Sequence, residues 1–235
     1  MVAITSGSPA QSFTTHFDRW WNSTGIWVEP VNQRRGGESG VQLLTRNDAS
    51  QLPLYCKRQV GHLYRSVRYP FGRPTVLREC DAYRTLARLG IKTPNIVYCA
   101  TRRKDQQWQS LLVTESLHGF VSLTQWYEES DSPELNQRVM HQVAVTLARM
   151  HQAGFQHGCC YPKHIFVKLH SGIASQADIE IALLDLEKSR HRWRAKDASR
   201  HDLRQLMRHR GSVPEADVLL VNQIHQQVLD GPVES

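Results

Sequence analysis

Between Ser132 and Glu187 the sequence lays down a long amphipathic helix, a histidine-led loop and two short apolar strands, the second ending in a carboxylate. The helix is written in SPELNQRVMHQVAVTLARMHQAG, where Ser132 is a ready N-cap, Pro133 suits the first turn and Gly154 suits the close. Leu135, Val139, Val143, Leu147 and Met150 recur at helical spacing and form one apolar stripe. HGCCYPKHIFV, residues 157–167, follows at once, and DIEIALLDLE supplies the second strand beyond a Ser-Gly turn region. That strand delivers Asp185 directly after four apolar residues, where a carboxylate is costly to bury without a partner. Asp185 therefore belongs at the edge of a cleft. This succession restricts the architectures open to the chain more than its composition does.

The upstream half extends the pattern. VNQRRGGESGVQLLTRND puts glycines before an apolar run, and LPLYCKRQ follows as a strand, which predicts strand, glycine turn, strand, strand. RPTVLRECDAYRTLARLG predicts a helix with Pro74 in its first turn and Gly90 at its end; Leu77, Cys80, Tyr83 and Ala87 share a face. TPNIVYCATRR and QQWQSLLVTES predict a hairpin across KDQ, and SRHDLRQLMRHRG and PEADVLLVNQIHQQVL predict the last helices. Glycine turn, strand lysine, helix glutamate, hairpin, long helix, histidine loop, strand and LLDLE is the serial order of a protein-kinase-like fold. The expected fold class is thus α+β and two-lobed. A small β-rich N-lobe spans 14–117 after a flexible stretch at 1–13, and a reduced helical C-lobe spans 118–235. The hinge is expected near 115–117, with Glu115 beside the nucleotide, and residues 41–59 and 95–115 must share one antiparallel sheet.

In phosphoryl transfer the protein mostly positions groups and neutralises charge. Lys57 is the candidate for the α- and β-phosphates, and Glu79 the candidate to lock it by an ion pair. Gly37 and Gly40 have the spacing of the second and third glycines of a phosphate-covering turn; Arg35 stands at the first place, with Gly36 beside it. Asp185 suits magnesium, which prefers hard carboxylates. In the loop, His157 is the expected anchor, Cys159 stands where a catalytic Asp is expected, and His164 stands at the place of a metal-binding Asn. Lys163 is the nearby cation that could lower the Cys159 pKa. Asp202, in SRHDLRQL, is expected to accept backbone amides from the loop.

The 235 residues suffice for one large domain or two small lobes. No apolar run is long enough to cross a bilayer, and MVAITSGSPAQSF lacks the basic start and apolar core of a secretory signal. Five cysteines without metal-ligand spacing point to reduced thiols in a cytosolic protein. The formal charge of +7 favours an anionic partner. KSRHRWRAKDASRH concentrates it, and Lys188, Arg190, Arg192, Arg194 and Lys196 are expected to line the cleft mouth and attract a phosphorylated acceptor or an anionic membrane. The segment lacks the aromatic spacing of an RNA-binding sheet, which disfavours nucleic acid.

NQRRGGESGV, YCKRQ, REC with LARLGIKTP, HGCCYPKHIFV, LLDLEKSR and HDLRQL together resemble the lipopolysaccharide kinase family, the Kdo and core-heptose kinases, and are most similar to its small InaA-like branch. The resemblance runs from about Trp20 to Met207. It implies ATP with Mg²⁺, phosphorylation of a sugar hydroxyl in the lipopolysaccharide inner core, and a cytoplasmic site facing the inner membrane of a Gram-negative bacterium. The chain departs from the family in having Gly158-Cys159 where the sugar kinases keep Arg-Asp. Two readings stay open: an active kinase, or a nucleotide-binding pseudokinase with a regulatory role in envelope stress.

Overall fold

The computed structural model describes residues 15–28, 31–34, 37–45, 52–170 and 178–231. Gly36, Arg35 and the stretch 1–13 lie outside the described residues. In chain order the elements are α1 (His16–Trp21), β1 (Ile26–Trp27), β2 (Asn32–Arg34), β3 (Gly37–Leu44), β4 (Leu54–Val60), β5 (Leu63–Ser66), β6 (Tyr69–Pro74) and α2 (Thr75–Arg88). Next come β7 (Ile96–Lys104), β8 (Gln107–Glu115), β9 (Val121–Ser122), α3 (Leu123–Glu129) and α4 (Pro133–Gln152). The last are β10 (Phe155–Gln156), a 3₁₀ turn (Pro162–His164), β11 (Ile165–Leu169), β12 (Ile179–Leu183), β13 (Arg190–His191), α5 (Ala195–Arg208) and α6 (Glu215–Asp230).

The first half is built on one antiparallel sheet of order β1-β3-β4-β8-β7, with β2 also pairing β3. The segments required to share a sheet do so: Val41 pairs Lys57, and Lys57 pairs Leu112. Alternation along β4 sends Cys56 to one face and Lys57 to the other. On the Cys56 face, Phe17 of α1 joins Leu44, Leu54, Leu111 and Val113, and Trp20 and Trp21 pack beside them. The aromatic run at 17–27 therefore serves mainly as a cover for the sheet, although Trp27 is half exposed.

On the Lys57 face lies α2. The Thr75 hydroxyl donates to Gln59 Oε1 at 2.8 Å, so the start of α2 is tied to the strand two residues beyond Lys57. The helix buries Val76, Glu79, Cys80, Ala82, Tyr83 and Leu86, whereas Ala87 is exposed. The stripe is wider than expected because α2 packs on the sheet with one side and on the second half of the chain with the other. The hairpin β5–β6, before α2, lies outside the sequence expectation, as does α3.

β8 ends at Glu115, and β9 joins a different sheet of order β12-β11-β9. Helix α4 begins as the sequence indicates, with the Ser132 hydroxyl accepting from the Leu135 amide at 3.3 Å and Pro133 in the first turn. It buries Val139, Met140, Val143, Ala144 and Leu147 in the main core with Ile165, Leu183, Leu186 and Leu206. No helix among the described residues is long and apolar enough to cross a membrane.

Candidate functional site

The site arises where the antiparallel pair β11–β12 begins and ends. Ile165 pairs Leu183, so the residues entering β11 and those leaving β12 are neighbours. The Leu184 amide donates to the His164 carbonyl at 2.9 Å and fixes the loop 157–164 against Asp185. The His164 Nε2 then lies 3.5 Å from the Asp185 carboxylate. Asp185 has φ of +58°, in the left-handed region that non-glycine residues seldom occupy. Such strain, on the order of 1–3 kcal/mol, persists where the surroundings dictate it and clusters at functional sites.

Across the cleft, Lys57 Nζ lies 2.8 Å from Glu79, 3.1 Å from Glu187 and 3.8 Å from Asp185. Glu79 is buried, and its second oxygen accepts from the Tyr83 hydroxyl at 3.1 Å, one helical turn on. Burial works against the charge of Lys57, but the carboxylates of Glu79, Glu187 and Asp185 outweigh it and raise its pKa above the usual lysine value. Burial likewise pushes Asp185 up, yet Lys57 and His164 more than offset it and leave the carboxyl below its ordinary value. Both groups are therefore charged at neutral pH.

The loop is held from below. Asp202, fully buried on α5, accepts the His157 amide at 2.6 Å and the Gly158 amide at 2.9 Å, as the sequence led us to expect. His151 Nε2 donates to the same carboxylate at 3.1 Å, so its Nδ1 accepts from His225 Nε2 at 2.8 Å. Nothing local in the sequence marks His151 and His225 as partners.

A family model described as Lipopolysaccharide kinase (Kdo/WaaP) family matches residues 18–224. The chain belongs to the lipopolysaccharide kinase family. It is 43% identical over 205 residues to Protein InaA of Escherichia coli, a match covering 86% of this chain and 91% of that one. Over 131 residues it is 30% identical to the lipopolysaccharide core heptose(I) kinase WaaP of Pseudomonas aeruginosa, covering 51% of this chain and 48% of the other. A solved structure, WaaP in complex with acyl carrier protein, superposes with a TM-score of 0.64 at 20% identity over 90% of this chain and 82% of that chain. The fold is that of the protein-kinase-like class.

Against that family, the Gly158-Cys159 departure has a packing basis. Gly158 has φ of +87°, and a Cβ there would stand 2.4 Å from the Lys188 carbonyl oxygen. No arginine fits at 158 without moving the segment after Asp185. Cys159 is buried; burial first, then Asp185, pushes its thiol pKa up, and Lys188 only partly counters this. The cation beside Cys159 is thus Lys188, while Lys163 is exposed on the 3₁₀ turn. A standing thiolate is not favoured here.

The other candidates are dispersed. Gly37 and Gly40 lie on β3, and a Cβ at Gly40 would meet the Trp27 ring at 2.5 Å, so this glycine has a packing reason of its own. Glu115 accepts from Asn95 Nδ2 at 2.9 Å. Arg192 Nε donates to Gln156 at 2.6 Å, whereas Arg190 and Arg194 are exposed. Glu187 and Tyr83 are site members whose roles beside Lys57 and Glu79 lay outside the sequence reading; their signals are the spacings i+2 from Asp185 and i+4 from Glu79. Among the described residues no three His, Cys, Asp or Glu side chains converge as a metal cage. Asp185 with His164 beside it instead fits a magnesium ion held largely by substrate phosphates and water.

The buried rings give a pH dependence. Burial lowers the pKa of His157 from 6.5 to about 4 and that of His225 likewise from 6.5 to about 4. The unfolded chain therefore binds more protons than the folded one between those values. Their contribution is complete above about pH 6.5 and is lost as pH falls toward 4. At about pH 5 the expected loss is about 2 kcal/mol per histidine. Urea unfolding at about pH 7.5 and about pH 5 checks this, and His225→Gln, which keeps a donor for His151, should roughly halve the difference. An unfolding midpoint indifferent to pH in that window sinks the assignment.

Proposed function

We propose that this chain is an ATP- and Mg²⁺-dependent phosphotransferase acting on a sugar hydroxyl of the lipopolysaccharide inner core. The observation that carries the reading is Lys57, gripped by Glu79 at 2.8 Å and faced by Asp185 at 3.8 Å. In it, Lys57 holds the α- and β-phosphate oxygens, and Glu79 and Tyr83 keep the ammonium in place. Asp185, with His164 beside it, holds the magnesium, which supplies neutralisation of charge on the transferred phosphoryl group. Gly37, Gly40 and Glu115 border the nucleotide. Lys163, Arg190, Arg192 and Arg194 attract the phosphorylated acceptor. The chain works on the cytoplasmic side, where the basic segment and the fully exposed Trp193 suit peripheral contact with an anionic inner-membrane surface. The acyl carrier protein bound by the structural relative is a candidate partner for the same basic surface.

One observation favours a second reading, a nucleotide-binding pseudokinase. The place of the catalytic base is taken by Cys159, a buried thiol with a raised pKa. A positioned base contributes roughly 10²–10⁴-fold, so its absence slows transfer without abolishing it. Mass spectrometry of core oligosaccharide from a deletion strain tests the first reading: a core phosphate is expected to disappear. With purified protein, Cys159→Asp is expected to raise ATP hydrolysis roughly 10²-fold. An unchanged core, together with a Cys159→Asp protein that binds ATP and stays silent, selects the pseudokinase.

A further inference from the structure

Beside α2, away from the Lys57 face, a cavity of about 390 Å³ opens between the β5–β6 hairpin and residues 189–191. Arg65, Arg73, Arg78 and Arg190 all line it. The one carboxylate in its wall, Asp81, is already engaged by Arg73 at 2.9 Å and Arg84 at 3.7 Å. Two polar groups at the cavity lack partners. Ser189 is 1% exposed and its hydroxyl has no hydrogen-bond partner; the Nε of Arg78 is buried and likewise unpaired. The Arg78 guanidinium is pre-set by stacking on the Tyr64 ring at 4.2 Å. Burial and the neighbouring Arg190 hold its pKa below the usual arginine value.

A buried unpaired donor is costly, and two of them beside the guanidinium groups of Arg65, Arg73 and Arg190 describe a site for an anion rather than for water alone. We propose that this cavity binds a phosphate monoester, with Arg78 and Ser189 as its anchors. Three phosphate oxygens match a forked guanidinium and a hydroxyl, and the double charge answers the arginine excess. The cavity is larger than a bare phosphate, and Tyr64 and Phe155 in its walls offer flat apolar faces of the kind a sugar ring packs against. Arg78 directly precedes Glu79, and Ser189 lies four residues beyond Asp185. An occupant therefore ties α2 to the segment that follows Asp185. Its influence on nucleotide binding rests on the function proposed above; the binding itself does not.

Thermal unfolding in sodium phosphate, against sodium chloride at matched ionic strength, tests the site. A saturable rise of roughly 5–10 °C is expected at about 100-fold excess over Kd. Arg78→Met should weaken phosphate at least about tenfold, because a charge-assisted pair is lost. Arg190→Ser, at an exposed position that cannot disturb the core, should weaken it several-fold. Lys57→Met should keep the shift, which separates this cavity from the cleft. Two sources share the chemistry, and two probes distinguish them. If glucose 1-phosphate binds more tightly than inorganic phosphate, the phosphate of a sugar acceptor is indicated; if the two bind equally, a free phosphate metabolite is indicated. A shift kept in both arginine variants, lost in Lys57→Met, or produced by glucose alone overturns the proposal. Phosphate binding without any Mg-ATP binding would leave the cavity standing and remove the nucleotide reading instead.

Discussion

Asp202→Ala lowers the stability of this chain by about 3–5 kcal/mol, a large part of the 5–15 kcal/mol that a folded domain commonly has. The carboxylate is fully buried, and its oxygens accept the amides of His157 and Gly158 and the Nε2–H of His151. Burial alone would push its pKa up, but the His151 hydrogen bond and the nearby imidazoles leave it below the ordinary value, so it is ionised when folded. Alanine leaves three buried donors without an acceptor and removes the link from α5 to the loop. Asp202→Asn should fall between, because the amide keeps one acceptor oxygen but turns an N–H toward another N–H. Urea denaturation with circular dichroism measures both. A loss below about 1 kcal/mol for alanine would mean that water or a shifted loop replaces the carboxylate.

Asp185→Asn and Lys57→Met are expected to cost at least roughly 100-fold in Mg-ATP affinity, equivalent to about 2.7 kcal/mol. The two act differently. Asparagine at 185 keeps the shape and removes the hard anionic ligand, so the loss should appear only with magnesium present. Methionine at 57 keeps much of the side-chain volume and removes the charge that Glu79, Glu187 and Asp185 share. Glu79 then sits buried without a cation and takes up a proton in place of staying charged, so the fold survives. Isothermal titration with and without magnesium separates the two effects. Unchanged affinity in Lys57→Met would remove Lys57 from the nucleotide site.

The antiparallel sheet shared by 41–59 and 95–115, α2 and α4 were legible because their signals are local: alternation in LPLYCKRQ, a Ser132-Pro133 cap, an apolar stripe at helical spacing. Asp185 was legible for a similar reason, since four apolar residues ahead of a carboxylate are hard to explain otherwise. The hairpin β5–β6 escaped because LYRSVRYPFG lacks a buried face; Val67 and Phe71 are almost fully exposed there. The His151–His225 contact joins residues 74 apart and carries no periodic mark. The reason for Gly158 also escaped, because it lies in another segment's backbone, the Lys188 carbonyl. The contact of Glu187 with Lys57 escaped too, because it depends on how the chain turns after Asp185.

That turn has a consequence for how this sequence can change. The backbone at 185 has φ of +58°, a conformation glycine adopts freely and asparagine tolerates better than most residues. Backbone strain and the cleft's carboxylate thus make opposite demands on one position. A lineage freed of the cleft's chemistry would tolerate glycine or asparagine there, exchanging the carboxylate's contacts with Lys57 and His164 for a relaxed backbone. A lineage that needs the carboxylate must carry the strained aspartate indefinitely. The identity of residue 185 among descendants of this chain is accordingly a record of whether the cleft was still in use.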